Sequence, residues 1–345
     1  MNLQPGSYIV HDVTDLKVID IHCHRECGPA AAIVKEEGDR LGRAPLQVGS
    51  ELTREVNRRQ LRELRPKMDS IEVRLADMDA MGVDIQALSV SPYHLFYWAG
   101  GELGTAAFRA INDDLASLVA ERPDRFVGVG AVPLQDESAA VSELKRCRED
   151  LGFPGIEIST HVNGEELSSP RLEPFWGAVE DLGMVVFIHP TGFTHPERFT
   201  EHYFYNTIGH PLESTLCAGR LIFDGVLERH PGLKIVFAHG GGFLPAYAGR
   251  FDHAYHARED VRHGLPRPPS EYLAMLYFDT MVFEPDQLGF LIAKYGAEHV
   301  LLGTDYPYDM GEDDPLGLLG RVDGLSAKDA SLIRGGNAKR LLGLG

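Results

Sequence analysis

Five residues with metal-binding or acid–base side chains each come at the end of a short apolar run: His22, His24, His189, His239 and Asp305. Imidazole and carboxylate groups together suit Zn²⁺ and, less specifically, Mn²⁺, Fe²⁺ or Co²⁺. We expect Asp305 and the three histidines other than His239 to hold such a metal. This ligand set can leave a position for water, whose pKa a catalytic Zn²⁺ lowers to about 7. His239 is then the natural proton acceptor.

The spacing of His22 and His24 has a physical reason. Side chains alternate along a strand, so these two point to one side and Cys23 points to the other. Two imidazoles one pleat apart can chelate one ion, whereas we expect Cys23 to pack against the surrounding helices. Taken singly, each candidate also has an ordinary reading, as a core histidine, a turn histidine or a helix-capping carboxylate. Their common position at strand ends favours the metal site.

Short apolar, β-branched runs alternate with longer segments of helical periodicity, which is typical of an α/β protein with a parallel sheet. Eight strands are predicted, at residues 18–24, 83–90, 126–133, 155–159, 185–190, 234–240, 277–281 and 300–307. The main helices are predicted at residues 72–81, 106–122, 212–229, 286–295 and 327–342. A doubly wound open sheet gives similar alternation. The strands of a parallel barrel all open on one face, where barrel enzymes keep their sites, so the convergence of the candidate residues favours a (β/α)8 TIM barrel.

Residues 25–69 are polar, rich in Arg and Glu, and long for a single connection after the first strand. We interpret them as a small insertion over the barrel mouth, because no independent apolar core is visible in them. A single barrel takes about 250 residues, or more with insertions, so we expect one domain over residues 1–345. Other histidines, including His195, His202 and His210, are interpreted as loop or surface residues.

The composition limits the partners of the protein. Its net charge of −18 repels phosphate backbones and anionic lipids, which disfavours nucleic acid and membrane partners. The N-terminus lacks a signal-peptide pattern, and no apolar run approaches the ~18 residues that a membrane span requires. The 4 cysteines are too scattered for a disulfide framework. We expect a soluble cytoplasmic enzyme whose small-molecule carboxylate substrate requires local positive charge.

Four segments around the candidate site resemble the decarboxylase branch of the amidohydrolase superfamily: VIDIHCH, FIHP, FAHGGGF and LLGTDYP. Further segments agree with the same branch: RLADMDAMGVDIQAL, INDDL, RFVGV, LGFPG and THVN. The resemblance runs from about residue 18 to about residue 345. It implies a TIM barrel that binds Zn²⁺, with a ligand set formed by His22, His24, His189 and Asp305. It also implies that His239 activates the metal-bound water.

The resemblance further implies substrate contacts. Arg62 aligns with an arginine that binds the substrate carboxylate, and Arg65 is close enough to exchange with it. Arg250 matches an arginine that reaches into the neighbouring subunit's site, which implies a homodimer. Phe96 and Trp98 lie in a segment similar to the aromatic segment near the substrate.

The loop after His189 departs from the pattern of this branch. Phe193 lies in a Thr-Gly-Phe sequence where the branch has Trp-Asp-Met, and Asn206 occupies an aromatic position that lines the pocket. We count Phe193 and Asn206 among the expected substrate contacts. These departures alter the pocket wall and leave the metal ligands unchanged.

The implied reaction is nonoxidative decarboxylation of an unsaturated or aromatic carboxylic acid. His239 and Asp305 are the candidates to deliver the proton, while Arg62 and Arg250 would hold carboxylate groups. A hydrolase or hydratase could use the same residues, and the fold does not decide between these reactions. A noncatalytic metal-bound scaffold is a third interpretation, which His239 disfavours because a structural metal needs no additional base.

Overall fold

The structure is a computed structural model that describes residues 16–42, 49–193 and 195–345. Its strands are β1 (Ile19–Arg25), β2 (Ile85–Val90), β3 (Phe126–Ala131), β4 (Gly155–Ile158), β5 (His161–Val162), β6 (Glu165–Glu166), β7 (Val185–Ile188), β8 (Lys234–Phe237), β9 (Tyr277–Asp279) and β10 (Val300–Leu301). Eight of them form one parallel sheet in the order β1-β2-β3-β4-β7-β8-β9-β10. Strands β5 and β6 pair as a separate antiparallel hairpin, which the sequence did not predict.

Backbone hydrogen bonds close this sheet between its first and last strands. The amide of Ile21 donates to the carbonyl of Leu302 at 2.9 Å, and the amide of His24 donates to the carbonyl of Tyr306 at 2.7 Å. We call this contact between β1 and the segment after β10 the closing seam. The prediction of a (β/α)8 barrel is therefore confirmed.

Helices surround the barrel: α1 (Gly28–Arg40), α2 (Glu51–Asp69), α3 (Ile71–Met81), α4 (Gly101–Glu121), α5 (Glu137–Glu149), α6 (Glu173–Leu182), α7 (His210–Phe223), α8 (Val226–Arg229), α9 (Leu244–Ala257), α10 (Glu259–Arg262), α11 (Pro269–Leu273), α12 (Pro285–Tyr295), α13 (Pro315–Gly320), α14 (Ala327–Ser331) and α15 (Asn337–Leu342). Local sequence explains several ends. Ser70 separates α2 from α3, and its hydroxyl accepts a hydrogen bond from the amide of Val73. Gly82 ends α3 with φ 72°, a left-handed conformation that glycine adopts without steric cost. Within the described ranges, no helix has both the length and the apolar character needed to cross a membrane.

The apolar core has two layers. Residues from inside the barrel, including Ile21, Phe187 and Val236, form one cluster with Leu341 and Leu342 of α15. A larger cluster lies between the strands and the outer helices, and Cys23 belongs to it. The expectation that Cys23 packs against the helices is therefore confirmed.

Three predicted elements are shorter than expected. The helix predicted at 212–229 is broken into α7 and α8, because Gly225 has φ 78°. The helix predicted at 327–342 is interrupted by the π-helical turn Leu332–Gly336 between α14 and α15. The strand predicted at 300–307 ends at Leu301, and the chain beyond it turns at Asp305, which has φ 55°.

The segment predicted as an insertion contains all of α1 and all of α2. Helix α1 packs beside α4, and α2 carries Asn57, Leu61 and Leu64 along one side of a cavity near the barrel mouth. The side-chain amide of Asn57 donates to the Tyr205 hydroxyl at 3.4 Å. The amide of Ser50, just before α2, donates to the carbonyl of Thr200 at 2.6 Å. This segment is thereby joined to the long loop that follows β7.

Candidate metal centre and active site

The predicted site residues meet at the carboxyl ends of the barrel strands. One ligand atom from each of His22, His189, His239 and Asp305 lies within 4.8 Å of the others. His22 lies on β1, His189 directly follows β7, and Asp305 lies beside β1 at the closing seam. Residues far apart in sequence therefore share one small volume, as their positions at strand ends predicted.

His24 is outside that four-residue group but touches two of its members. Its Nε2 lies 3.1 Å from His22 Nε2 and 3.2 Å from Asp305 Oδ1. By comparison, His239 Nε2 is 3.7 Å from Asp305 Oδ2. Distance alone thus allows either His24 or His239 to complete a ligand set. The shorter approach of His24 to Asp305 favours it as the ligand, and this division of roles stays a prediction.

The donor atoms fit a divalent cation. His22 Nε2 and Asp305 Oδ1 are 3.3 Å apart, and both lie beside His24 Nε2. Two imidazole nitrogens this close repel each other through their lone pairs unless a proton or a cation lies between them. His189 Nε2 and Asp305 Oδ1 are buried, and neither has a hydrogen-bond partner among the described residues. Imidazole nitrogens with a carboxylate oxygen are a donor set suited to Zn²⁺ and to other first-row divalent ions.

Hydrogen bonds to the second ring nitrogen orient two of the histidines. His22 Nδ1 donates to Asp279 Oδ2 at 2.6 Å, and both side chains are fully buried. His189 Nδ1 donates to the carbonyl of Pro190 at 2.8 Å. With the proton held on Nδ1 in each ring, Nε2 presents its lone pair to the cluster.

The charges of the cluster are tightly coupled. Burial alone would lower the pKa of His22, but the carboxylates of Asp305 and Asp279 outweigh burial and raise it to about 10. Burial lowers the pKa of His24 to about 4 and holds that of His189 well below its ordinary value. Without a metal, one imidazolium at His22 therefore offsets only part of the charge of the two carboxylates, while His24 and His189 stay neutral.

A third buried carboxylate of the site lies behind His24. Glu157, on β4, is fully buried, and its Oε2 is 3.7 Å from His24 Nδ1. Burial raises the pKa of Glu157 to about 8. Strand β4 is otherwise apolar, so an acidic residue within it could have been recognised in the sequence as a candidate. It was overlooked because only residues at strand ends were considered.

The backbone around His239 is tightly constrained. His239 itself has φ 55°, and the three glycines after it all have positive φ. The amide of Gly240 donates to Asp279 Oδ1 at 2.8 Å. A Cβ atom at Gly242 would overlap the carbonyl oxygen of Pro211 on α7, so only glycine permits this close approach. The loop that carries His239 is thereby fixed both to Asp279 and to α7.

A cavity lies over the cluster. His189, His239 and Asp305 form its floor. The described wall residues with hydrogen-bonding side chains are mostly neutral: Tyr93, Thr191, Tyr203, Asn206, His210 and Tyr308, with Asp309 as the acidic exception. The wall can therefore bind an oxygen-bearing ligand through hydroxyl, amide and imidazole groups.

The expected substrate contacts are distributed unevenly around this cavity. Asn206 lines it. Trp98 lines a neighbouring cavity that shares Tyr93 with the first. Phe96 is buried against Trp98 at a ring distance of 5.9 Å, and Phe193 packs against Phe199 at 4.9 Å. The structure thus brings only Asn206 of these residues to the described wall over the metal cluster.

The expected arginines lie on the surface. Arg62 and Arg65 are exposed on α2, and the Nε atom of Arg65 pairs with Asp69 Oδ2 at 3.2 Å. Arg250 is exposed on α9. None of the three lines the cavity over the cluster within its described wall. Their roles in substrate binding and in a partner's site stay predictions.

Besides Glu157, two residues near the cluster were not predicted as site residues from the sequence. His210 is buried, which corrects its interpretation as a loop or surface residue. Asp279 ends β9, so it carried the same signal of a carboxylate at a strand end that identified Asp305. No local signal marks His210, because the packing of α7 against the His239 loop brings it to the cavity.

Comparison with known proteins agrees with this geometry. A family model described as amidohydrolase matches residues 19–344. The 2-amino-3-carboxymuconate-6-semialdehyde decarboxylase of Dictyostelium discoideum is 38% identical over 274 residues, which cover 79% of this chain and 76% of that protein. The 5-carboxyvanillate decarboxylase of Sphingomonas paucimobilis has a similar structure, with a TM-score of 0.84 at 26% identity, over 96% of this chain and 100% of that chain.

A third similar protein was solved with ligands. The dihydroxybenzoic acid decarboxylase of Polaromonas sp. JS666 contains manganese and the inhibitor 2-nitroresorcinol. Its TM-score is 0.81 at 25% identity, covering 95% of this chain and 97% of that chain. The family match extends over nearly the whole barrel, and it includes the strands that carry the metal cluster. The chain therefore belongs to the amidohydrolase family.

Proposed function

We propose that the chain is a metal-dependent nonoxidative decarboxylase of an unsaturated or aromatic carboxylic acid. The observation that carries this proposal is the convergence of His22, His24, His189, His239 and Asp305 beneath a cavity of largely neutral polar groups. The similar proteins named as decarboxylases support the reaction class. The family match over residues 19–344 includes the positions of all five site residues.

The ligand assignment is part of the proposal. Three imidazoles and a carboxylate, from His22, His24, His189 and Asp305, would hold the ion, and His239 would stay unligated. An imidazole-rich set favours Zn²⁺, although the Polaromonas structure contains manganese. When bound, the ion supplies Lewis acidity that polarises an oxygen of the substrate or of water.

The reaction replaces the carbon–carbon bond to the carboxylate with a carbon–hydrogen bond. A proton adds to the carbon that bears the carboxylate, the bond to the carboxylate then breaks, and its electron pair restores the conjugated system as CO₂ leaves. His239 lies beside Asp305 at 3.7 Å, so these two side chains can hold and transfer that proton. The tyrosines of the wall enclose the substrate and limit access of water.

Assembly and location also belong to the proposal. Arg250 lies on an exposed face of α9, near the exposed aromatic side chains of Phe243 and Tyr247. Such a face suits an interface between two copies, in which Arg250 would reach the partner's substrate and Arg62 its own. All four cysteines are buried and unbridged, which accords with a cytoplasmic protein. Light scattering at several concentrations would test the dimer.

The first test measures CO₂ release from freshly prepared 2-amino-3-carboxymuconate 6-semialdehyde and then from a panel of hydroxybenzoates. Metal-replete and chelator-stripped protein are compared side by side. Release that depends on metal supports the proposal. Consumption of the acid without CO₂ would instead indicate a hydratase or a hydrolase, and full metal occupancy with no turnover would indicate a scaffold.

Variants then test the roles of the residues. His22→Ala and Asp305→Ala should lose metal, as measured by elemental analysis. His239→Ala should keep its metal and lose turnover by about 10²–10⁴-fold, the usual contribution of a general acid–base group. A metal-free His239→Ala protein would contradict this division and make His239 a ligand in place of His24.

A further inference from the structure

His210 lies in a second layer above the metal cluster. Its ring centroid is 6.1 Å from that of His239, in a stacked arrangement, and 6.2 Å from that of His189. At these distances His210 does not join the ligand set, yet it lines the cavity over the cluster. It also lines another cavity, bounded by Phe243 and Phe283, that reaches His239 and Asp305 as well. Its position is therefore that of a group facing a molecule bound over the cluster.

The two ring nitrogens of His210 differ in their hydrogen bonding. The side-chain amide Nδ2 of Asn206 donates to His210 Nδ1 at 3.4 Å. His210 Nε2 is buried and has no hydrogen-bond partner in the part of the chain that the structure describes. Because Nδ1 accepts, the single proton of the neutral ring lies on Nε2. His210 thus presents an N–H donor without a protein acceptor.

The surrounding backbone fixes the direction of this donor. Asn206 belongs to the π-helical turn Tyr205–Gly209, which continues directly into α7, so the two side chains lie one turn apart. The carbonyl of Pro211 accepts from the Thr215 hydroxyl at 2.8 Å, and that hydroxyl accepts from the amide of Phe243 at 2.7 Å. His210 is therefore held in register with the loop that carries His239.

The ring is also neutral. His210 is only 6% exposed, and burial lowers its pKa to about 3. A histidine that serves packing alone has no reason to leave a buried N–H without an acceptor, because such a group costs free energy. A ligand oxygen over the metal cluster would supply the missing acceptor.

We propose that His210 is a substrate-binding residue that donates a hydrogen bond from Nε2 to an oxygen of the bound acid, and that Asn206 positions it. The inference rests on the proposed function for the identity of the ligand. It assigns Asn206 a positioning role rather than the direct contact expected from the sequence. It also defines specificity, because a site with a buried donor discriminates against analogues that lack the matching oxygen.

The tautomer provides a test that needs no substrate. In zinc-loaded protein with ¹⁵N-labelled histidine, the His210 resonances are identified by their loss in His210→Leu. At pH 7 the wild type should show a protonated Nε2 and an unprotonated Nδ1. Asn206→Asp places a carboxylate opposite Nδ1 and should move the proton there. A wild-type ring with its proton on Nδ1, or with two protons, would overturn the inference.

Ligand binding provides the second test, with 2-nitroresorcinol as the probe and calorimetry as the measurement. His210→Leu removes the donor at similar volume and should raise the Kd about ten- to a hundredfold, the range for a hydrogen bond to a charged acceptor. His210→Gln places an amide nitrogen near the position of Nε2 and should stay within about threefold of wild type. Binding by His210→Leu within about threefold of wild type would overturn the inference.

The two proposals can fail separately. Both variants should keep their metal and unfold at similar denaturant concentrations, since a purely structural role would affect His210→Gln as well as His210→Leu. If the wild type releases no CO₂ from any acid, the proposed function fails, while the tautomer and the probe still decide the role of His210. If CO₂ release is intact and the variants bind the probe as well as the wild type does, only the present inference fails.

Discussion

Asp279 connects the metal cluster to the loop of the proposed base, and replacing it with asparagine should weaken metal binding. Its Oδ2 accepts from His22 Nδ1 at 2.6 Å, while its Oδ1 accepts from the amides of Gly240 and Met281 at 2.8 and 3.1 Å. An asparagine can keep one oxygen facing the two amides only if its NH₂ group faces the His22 ring. The ring would then carry its proton on Nε2, the nitrogen that should bind the metal.

The magnitude follows from these contacts. In one case the proton of the His22 ring moves to Nε2, and the hydrogen bond from Nδ1 to a carboxylate is lost. In the other case the new side-chain amide rotates, and its NH₂ group faces the two backbone N–H donors. Loss of a hydrogen bond to a charged group costs about 1.5–3 kcal/mol. Partners that orient metal-binding histidines contribute about 10–100-fold to metal affinity. We therefore expect Asp279→Asn to raise the Kd for Zn²⁺ about 10–100-fold.

The assay is competition with a chromophoric chelator at pH 7.5, combined with circular dichroism to confirm folding. Glu143→Gln is the matched control, because Glu143 is also a buried carboxylate that accepts hydrogen bonds, here from Asn112 and Arg146, far from the cluster. It should lose stability and keep its metal affinity. A folded Asp279→Asn protein that binds Zn²⁺ within about threefold of wild type would refute the role of Asp279 in orienting His22.

Two further predictions concern protons and packing. Because the two carboxylates raise the pKa of His22 to about 10 while burial keeps His24 and His189 neutral, metal binding should release about one proton. The apparent affinity, measured by chelator competition, should fall about tenfold per unit as pH decreases from 8 to 6.5, and a flat profile would contradict this. Gly242→Ala should lose about 2–4 kcal/mol of unfolding free energy in urea. The added Cβ would overlap the Pro211 carbonyl, and residue 242 has φ 68°, a left-handed conformation that alanine adopts only at a cost. Gly219→Ala on α7, where a Cβ meets nothing within 4 Å, should be neutral or gain up to about 1 kcal/mol.

The barrel and the histidines of β1 could be predicted because they depend on local patterns. An apolar run that ends in His-Cys-His defines both a strand and the side of the sheet that each residue faces. The same pattern could have identified Asp279, which ends β9 as a carboxylate after two aromatic residues. The structure shows that its position between His22 and Gly240, more than its residue type, determines its role.

Features that depend on tertiary contact could not be predicted in this way. His210 comes to the cavity because Gly242 allows the His239 loop to approach Pro211, and neither segment encodes that contact alone. The strand predicted to run to residue 307 ends at Leu301, because the following segment turns at Asp305 and bonds to β1 instead. Residues 25–69 lacked a clear apolar period, yet they form α1 and α2. Contacts with α4 and with the loop after β7 stabilise this segment, and the sequence pattern does not indicate those contacts.

The closing seam also means that the site can be completed only late in the synthesis of the chain. His22 and His24 leave the ribosome among the earliest residues, whereas Asp305 follows only after all ten strands have been made. A nascent chain can thus form strands and hold imidazoles, but it cannot assemble the complete set of donors. Metal loading should therefore follow release of the nearly finished polypeptide, and a truncated translation product that ends before Asp305 would lack both the seam and its carboxylate.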